Sequence, residues 1–161
     1  MNIYHIAYEP TFRSLDIHFW TECNLNCQAC YTHYEKLDFG LLDDPIAGID
    51  KRPRENPPKR FLSLAEVMSL IKDLSIERVI CMGTEPSLDP ELPALVEALH
   101  HKFRCYNIIL TNGLKLFDLT HIDEVIFSIK TLSEWLHRDY TGRSNKTIIK
   151  NFHTIHNSGK R

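Results

Sequence analysis

Hydrophobic and polar positions alternate or cluster along the chain in a way that predicts four β-strands. Residues 14–20 alternate and are rich in bulky side chains, which is typical of a first strand. Residues 78–82 form a short continuous apolar run, as expected of a strand buried on both faces of a parallel sheet. The stretches 106–110 and 124–128 predict a third and a fourth strand.

Between and after these strands, apolar residues recur at helical spacing. Ser63 and Glu66 form a capping-box pattern ahead of the first such stretch, and Asp89 followed by Pro90 predicts the start of the second helix. The remaining helices are predicted as a short irregular one over 114–121, one over 132–140 that Gly142 stops, and a final one over 145–157 capped by Gly159. Strand and helix therefore alternate four times, which predicts an α/β fold with a parallel sheet and outer helices.

The strongest chemical signal follows the first strand, where Cys23, Cys27 and Cys30 are separated by three and then two residues. A four-iron cluster usually takes four cysteines, so three thiolates leave one iron free to bind a small molecule. A zinc site is the alternative, although zinc prefers four ligands in two pairs and the nearest extra candidate is His33. An accidental cluster is the remaining interpretation. The spacing favours an open [4Fe-4S] site.

Length and charge limit the number of domains, the partners and the location to be expected. The 161 residues suit a single domain over 1–161, and the polar stretch 32–60, with its several prolines, predicts a long loop insertion. A net charge of −2 gives no reason to expect nucleic acid or an anionic membrane as a partner. No apolar run approaches the length that spans a bilayer, and residues 1–10 lack a basic-then-apolar leader, so a cytoplasmic location is expected.

With this cysteine spacing the chain resembles the radical S-adenosylmethionine (radical SAM) superfamily. Where that family typically has Gly-Gly-Glu-Pro after the second strand, this sequence has Gly83, Thr84, Glu85 and Pro86. The resemblance implies that this segment receives the methionine amino group through backbone carbonyls and the acidic side chain. Thr84 departs from the pattern, and its side chain could crowd the ligand. The family's complete fold is a partial (βα)6 barrel, of which this chain would supply about four βα units.

Two further segments are similar to the enzymes that activate glycyl radical enzymes, such as the activase of pyruvate formate-lyase. One is 110–113, which contains Asn112, and the other is 127–145, in which Lys130 matches a cofactor-binding lysine. Ser128 takes the place of an aspartate of the activase pattern. His137 corresponds to a histidine of that pattern, but packing within a helix face is an equally good interpretation. Tyr31 is expected beside the cluster or the adenine, with simple packing of the loop as its alternative.

The resemblance implies a [4Fe-4S] cluster and S-adenosylmethionine as cofactors, and reductive cleavage of the latter to a 5′-deoxyadenosyl radical that abstracts hydrogen. The implied partners are an electron donor of the flavodoxin or ferredoxin type and, for an activase, a glycyl radical enzyme. Two alternatives stay open: an enzyme acting on a small molecule or peptide, and a non-catalytic fragment that binds the cluster. Because four units are fewer than six, we expect a C-terminally truncated chain with an unpaired edge strand and weak activity alone.

Overall fold

A sheet of five strands organises the part of the chain described by the computed structural model, which comprises residues 1–33, 58 and 60–161. The predicted loop 32–60 lies almost entirely outside the described residues. The strands are β1 (Ile3–Glu9), β2 (Ser14–Phe19), β3 (Arg78–Gly83), β4 (Tyr106–Thr111) and β5 (Glu124–Phe127). The helices are α1 (Leu64–Leu70), α2 (Leu92–Phe103), α3 (Glu134–Thr141) and α4 (Lys146–Asn157).

The strands lie side by side in the order in which they occur along the chain. β2, β3, β4 and β5 are mutually parallel, with Phe19 beside Gly83 and Thr111 beside Phe127 at their carboxyl ends. The four predicted strands and the α/β fold class are thus confirmed. Because parallel strands bring their carboxyl ends to one edge, the loops after β2, β3, β4 and β5 meet there.

β1 is a strand that the hydrophobic pattern did not predict. It pairs antiparallel with β2, with Tyr8 beside Leu15 and Ile6 beside Ile17, and shifts register between Ile3 and His5. Five of its seven residues are buried, so its sequence lacks the alternation of a half-exposed strand. It covers the edge of β2 that would otherwise be open.

The main core lies between the sheet and helices α1, α2 and α4. Side chains with no measurable exposure from three strands, Ile17, Val79 and Ile109, pack there with Leu95 of α2 and Ile71, which follows α1. Burial of a large aliphatic side chain contributes roughly 1.5–3 kcal/mol, so this layer fixes the sheet on which the loops are carried.

The helix predictions hold with shifted ends. At α1 the Ser63 hydroxyl accepts from the Glu66 amide and the Glu66 carboxylate accepts from the Ser63 amide, as the capping-box pattern predicted. The predicted start of α2, with Asp89 as N-cap and Pro90 as first helical residue, was wrong by two residues, because the helix begins at Leu92. Asp89 instead accepts hydrogen bonds from the amides of Asn2 and Glu91. Gly142 ends α3 with φ of +76°, as expected.

The predicted short helix over 114–121 does not form. Residues 112–123, all of them described, cross from β4 to β5 as bends and a turn. Asp118 accepts from the Thr120 amide within this connection, and Asp123 pairs with the backbone of Asn107. The Asp118 contact satisfies an amide that a helix would otherwise use, and the Asp123 contact ties the end of the connection to β4.

The C-terminal residues return to the sheet. The Val125 amide of β5 donates to the carbonyl oxygen of Arg161 at 2.8 Å, and the Lys160 ammonium donates to the Ile122 carbonyl at 2.6 Å. Residues 160–161 therefore lie along the outer edge of β5. None of the helices in the described part of the chain has the length and apolar character needed to cross a membrane.

Candidate cofactor site

The cysteine loop follows the carboxyl end of β2 and contacts the C-terminal end of α3. The amide of Asn26 donates to the Thr141 carbonyl at 2.9 Å, and the amide of Gln28 donates to the Tyr140 carbonyl at 3.0 Å. Within the loop, the Cys30 amide donates to the Cys27 carbonyl at 3.1 Å. Two backbone hydrogen bonds therefore hold the loop against the end of α3.

All three loop cysteines are free thiols at intermediate exposure. The Cys23 sulfur accepts from the Asn112 amide group at 3.7 Å, and the Cys30 sulfur accepts from the Thr32 hydroxyl at 3.1 Å. Burial raises the pKa of Cys23 and is also the main cause of a raised pKa at Cys27, where the Lys130 ammonium acts in the opposite direction. Thiols of this kind become thiolates by exchanging their protons for a metal.

Gly83 ends β3 with φ of +120°, a backbone conformation that side chains other than hydrogen rarely allow. A Cβ at this position would lie 2.6 Å from the Phe19 nitrogen and would overlap the Phe19 carbonyl oxygen. The resemblance implied that the segment containing this glycine receives a ligand. In the structure it also allows β3 to approach β2 at the point where the cysteine loop begins.

Thr84 connects the same two strand ends through its side chain. Its hydroxyl accepts from the Thr21 amide at 2.7 Å and donates to the Thr21 carbonyl at 2.9 Å. The Thr21 hydroxyl in turn donates to the Glu85 carbonyl at 2.7 Å. The hydroxyl expected to crowd a ligand is thus engaged with the residue two positions before Cys23, and Thr21 is a contributor that the sequence did not reveal.

Glu85 is almost fully buried, at 1% exposure, and its carboxylate is held by protein donors. One oxygen accepts from the hydroxyls of Ser87 and Thr111, both at 2.6 Å, and from the Ser87 amide at 3.3 Å. The other oxygen accepts from the Asn112 amide at 2.7 Å. The carboxylate therefore joins the ends of β3 and β4, a role that the sequence pattern did not suggest. Pro86 is buried in the short turn Pro86–Leu88 that follows.

Asn112 reaches from the end of β4 to the cysteine loop. Its amide nitrogen donates to the Asn24 side-chain oxygen at 2.7 Å, while its own side-chain oxygen accepts from the Leu114 amide at 2.9 Å. After β5, the exposed Lys130 ammonium donates to the Ser128 hydroxyl at 2.9 Å. The three parallel strands beyond β2 each contribute polar groups beside the cysteines.

The structure brings the predicted site residues together at one place. All of them except Pro86 line one cavity at the carboxyl edge of the sheet. The cavity wall also includes residues that the sequence analysis did not single out. Leu25 and Ala29 lie in the cysteine loop, and Leu110, Thr111 and Tyr140 lie within the segments 110–113 and 127–145. Tyr31 lies in the wall with its ring edge-on to Trp20, the centroids 6.4 Å apart.

His137 lies elsewhere. It is fully buried in α3, its Nδ1 is 2.7 Å from the Arg143 carbonyl oxygen and 3.1 Å from the Thr141 hydroxyl, and it does not line the cavity. Of the two interpretations of this histidine, packing within the helix end is the one that agrees with the structure.

Comparison with known proteins agrees with this arrangement. The sequence model of the radical SAM superfamily matches residues 17–161, and the chain belongs to that superfamily. Among curated proteins, none matches the sequence.

Solved structures that share the fold include SuiB of Streptococcus suis. SuiB bound to the precursor peptide SuiA has a TM-score of 0.59 and 18% identity, covering 86% of this chain and 29% of its own. SuiB without a named ligand has a TM-score of 0.58 and 17% identity, covering 93% of this chain and 30% of its own. SuiB bound to S-adenosylmethionine also has a TM-score of 0.58 and 17% identity, with coverage of 86% and 30%. This chain thus spans less than a third of the length of the SuiB structures.

The residues fit the cofactors that the family implies. Three free thiols face one cavity, a donor set that suits iron–sulfur ligation and leaves one iron position for another ligand. The same wall carries an exposed ammonium, Lys130, which is suited to an anionic group.

Proposed function

We propose that this chain is a radical SAM enzyme domain that holds a [4Fe-4S] cluster on Cys23, Cys27 and Cys30 and binds S-adenosylmethionine beside it. The observation that carries the proposal is the single cavity in which the three thiols meet Lys130 and the ends of three parallel strands. When bound, the cluster would supply the electron for reductive cleavage of S-adenosylmethionine, which yields a 5′-deoxyadenosyl radical. This chemistry requires an electron donor, and we propose a partner of the flavodoxin or ferredoxin type.

The protein's contribution is to hold and orient S-adenosylmethionine. Lys130 binds the methionine carboxylate, and its position beside Ser128 keeps the ammonium at the cavity rim. The backbone at Gly83 and Thr84 offers carbonyl oxygens to the methionine ammonium. Glu85 keeps that backbone in place through its contacts with Thr111 and Asn112.

We further propose that the substrate is a polypeptide. The resemblance of 110–113 and 127–145 to glycyl-radical-enzyme activases favours a glycine of a partner enzyme as the target. A precursor peptide is bound in one SuiB structure, which supports the broader class of polypeptide substrates. A small-molecule substrate and a non-catalytic fragment are the alternatives.

The first test is cofactor loading under anaerobic conditions. The reconstituted chain is expected to hold close to four irons, and Cys27→Ala should lose the cluster because two thiolates cannot hold it. Cys105→Ala is the matched control, since this cysteine is buried outside the cavity. Stoichiometric zinc without a cluster in the parent chain would contradict the proposal.

The second test separates binding of the cofactor from binding of the cluster. Lys130→Ala should keep the iron content but weaken S-adenosylmethionine binding by roughly ten- to a hundred-fold, because a charge-assisted contact contributes about 1.5–3 kcal/mol. Lys115→Ala, an exposed lysine outside the cavity wall, should bind as the parent does. Equal affinities in both variants would place Lys130 outside the binding site.

The third test measures 5′-deoxyadenosine formation with dithionite as the reductant. Formation of the product supports catalysis, whereas a chain that binds both cofactors and forms none is the non-catalytic fragment. Label transfer from a deuterated glycine of a candidate glycyl radical enzyme into 5′-deoxyadenosine would support the activase proposal. Transfer only from a small molecule would overturn the polypeptide class.

A further inference from the structure

A second group of metal-binding side chains lies outside the cysteine cavity. Glu97 and His101 stand one helical turn apart on α2, and His121 comes from the connection that precedes β5. One ligand atom from each of the three lies within 4.8 Å of the others, and the His101 Nε2 is 3.7 Å from a Glu97 carboxylate oxygen. Residues spaced by four on a helix present their side chains on one face, as two-ligand metal sites on helices require.

The third side chain, His121, is held in place by its backbone conformation and by a hydrogen bond to its carbonyl oxygen. His121 has φ of +61°, a left-handed conformation that few non-glycine residues adopt. Its carbonyl oxygen accepts from the side-chain amide of the fully buried Asn107 at 2.9 Å. The same amide group donates to the Val96 carbonyl of α2 at 3.4 Å. One buried asparagine thus fixes the connection bearing His121 against the helix bearing Glu97.

A neighbouring ring also orients His121. The His100 ring is tilted by 30° against it, with centroids 4.5 Å apart. A solvated ion pair would account for Glu97 and His101, whose side chains are 60% and 61% exposed. It gives no reason for a third ligand group, held in a left-handed turn, to lie beside that pair.

We propose that Glu97, His101 and His121 form a zinc site. Two imidazoles and one carboxylate are ligands that zinc takes in sites with three protein groups and water in the fourth position. Magnesium and calcium prefer oxygen ligands alone, so they suit this set poorly. The bound ion joins α2 to the connection 112–123, the crossover that has no helix of its own. This site is independent of the cysteine cavity and of the proposed radical chemistry.

The experiment uses the cluster-loaded chain, in which the cysteines are already occupied by iron. After anaerobic equilibrium dialysis against micromolar free zinc, zinc and iron per chain are counted by elemental analysis. We expect one zinc ion per chain with the iron content unchanged, and a higher melting temperature with zinc than without it.

Variants identify the ligands. His121→Ala and His101→Ala should each weaken zinc binding by about ten- to a hundred-fold or more, since changes even around a ligand have effects of that size. Both should also lose the zinc-dependent rise in melting temperature. His153→Ala, which removes an exposed histidine on α4 outside the group, should behave as the parent chain does.

Three results would overturn the proposal. The first is a parent chain that retains no zinc at micromolar concentration. The second is zinc uptake accompanied by loss of iron, which would place the ion on the cysteines. The third is equal zinc binding by the parent, His121→Ala and His101→Ala. The ligand changes are at exposed or half-buried positions, so the variants should remain folded.

Discussion

Replacing Glu85 by glutamine tests whether this carboxylate is a structural connection between strands. The side chain keeps its size and loses its charge, so the cavity shape is preserved. Three short hydrogen bonds reach the carboxylate, from Ser87 and Thr111 at 2.6 Å and from the Asn112 amide at 2.7 Å. In the variant, an NH2 group must replace one of the two acceptors.

The expected loss follows from these contacts. Hydrogen bonds to a charged group contribute about 1.5–3 kcal/mol, and those between neutral groups about 0.5–1.5 kcal/mol, so each short bond weakens by roughly 1 kcal/mol. We therefore expect Glu85→Gln to lower the free energy of unfolding by about 3 kcal/mol. Part of this is recovered if the two hydroxyls rotate to accept from the NH2 group.

Urea unfolding followed by circular dichroism gives the measurement. Glu22→Gln, the same change at an exposed carboxylate beside the cysteine loop, should stay within about 0.5 kcal/mol of the parent. A Glu85→Gln variant as stable as the parent, yet defective in S-adenosylmethionine binding, would refute the structural role and return Glu85 to direct ligand contact.

Three further changes probe the surrounding strands. Gly83→Ala should reduce stability by about 2–5 kcal/mol, or prevent folding, because its methyl group meets the Phe19 backbone at an unfavourable φ; thermal unfolding comparable to that of the parent would contradict the observed approach of β2 and β3. Thr84→Val should cost about 1–3 kcal/mol and lower iron retention, because the Thr21 amide loses its acceptor; unchanged stability and iron content would show that this contact is dispensable. Burial and then repulsion from His5 lower the pKa of His18 to about 3 from 6.5, so the unfolded chain takes up the proton first and stability should fall by about 1.4 kcal/mol per unit as pH decreases below 6.5. His18→Phe should flatten that dependence in pH-series unfolding, and an equal slope in both proteins would contradict it.

The fold was predictable where hydrophobic periodicity is strong. Residues 78–82 and 106–110 lie in neighbouring parallel strands, and their apolar runs favour a strand over other structures. The expectation that 78–82 is buried on both faces was wrong, because Val79 and Cys81 are buried whereas Ile80 and Met82 are half-buried. β1 was not predicted because most of its residues are buried on both faces in the antiparallel pair with β2. Its sequence therefore lacks the alternation that marks a half-exposed edge strand. The connection 112–123 was misassigned because helical spacing cannot reveal that Asp118 satisfies a nearby amide or that Asp123 is held by β4.

Some residues of the candidate site could be predicted from their spacing in the sequence, and others could be found only from the folded structure. Cys23, Cys27 and Cys30 are close in sequence, so their chemistry is visible without a structure. Thr21 lies in no motif and Thr111 was not singled out within 110–113, yet the strand ends place them beside Thr84 and Glu85.

The segment after β3 therefore combines two roles. Its threonine and glutamate side chains join β3 to the ends of β2 and β4, while the exposed Lys130 is the residue that we propose contacts the ligand. A threonine in place of the family's second glycine is compatible with a cofactor site for this reason: its hydroxyl is directed to Thr21, where it holds the start of the cysteine loop. Substitutions in this segment should consequently change stability and cluster retention together, whereas those at Lys130 should change cofactor affinity with the cluster intact.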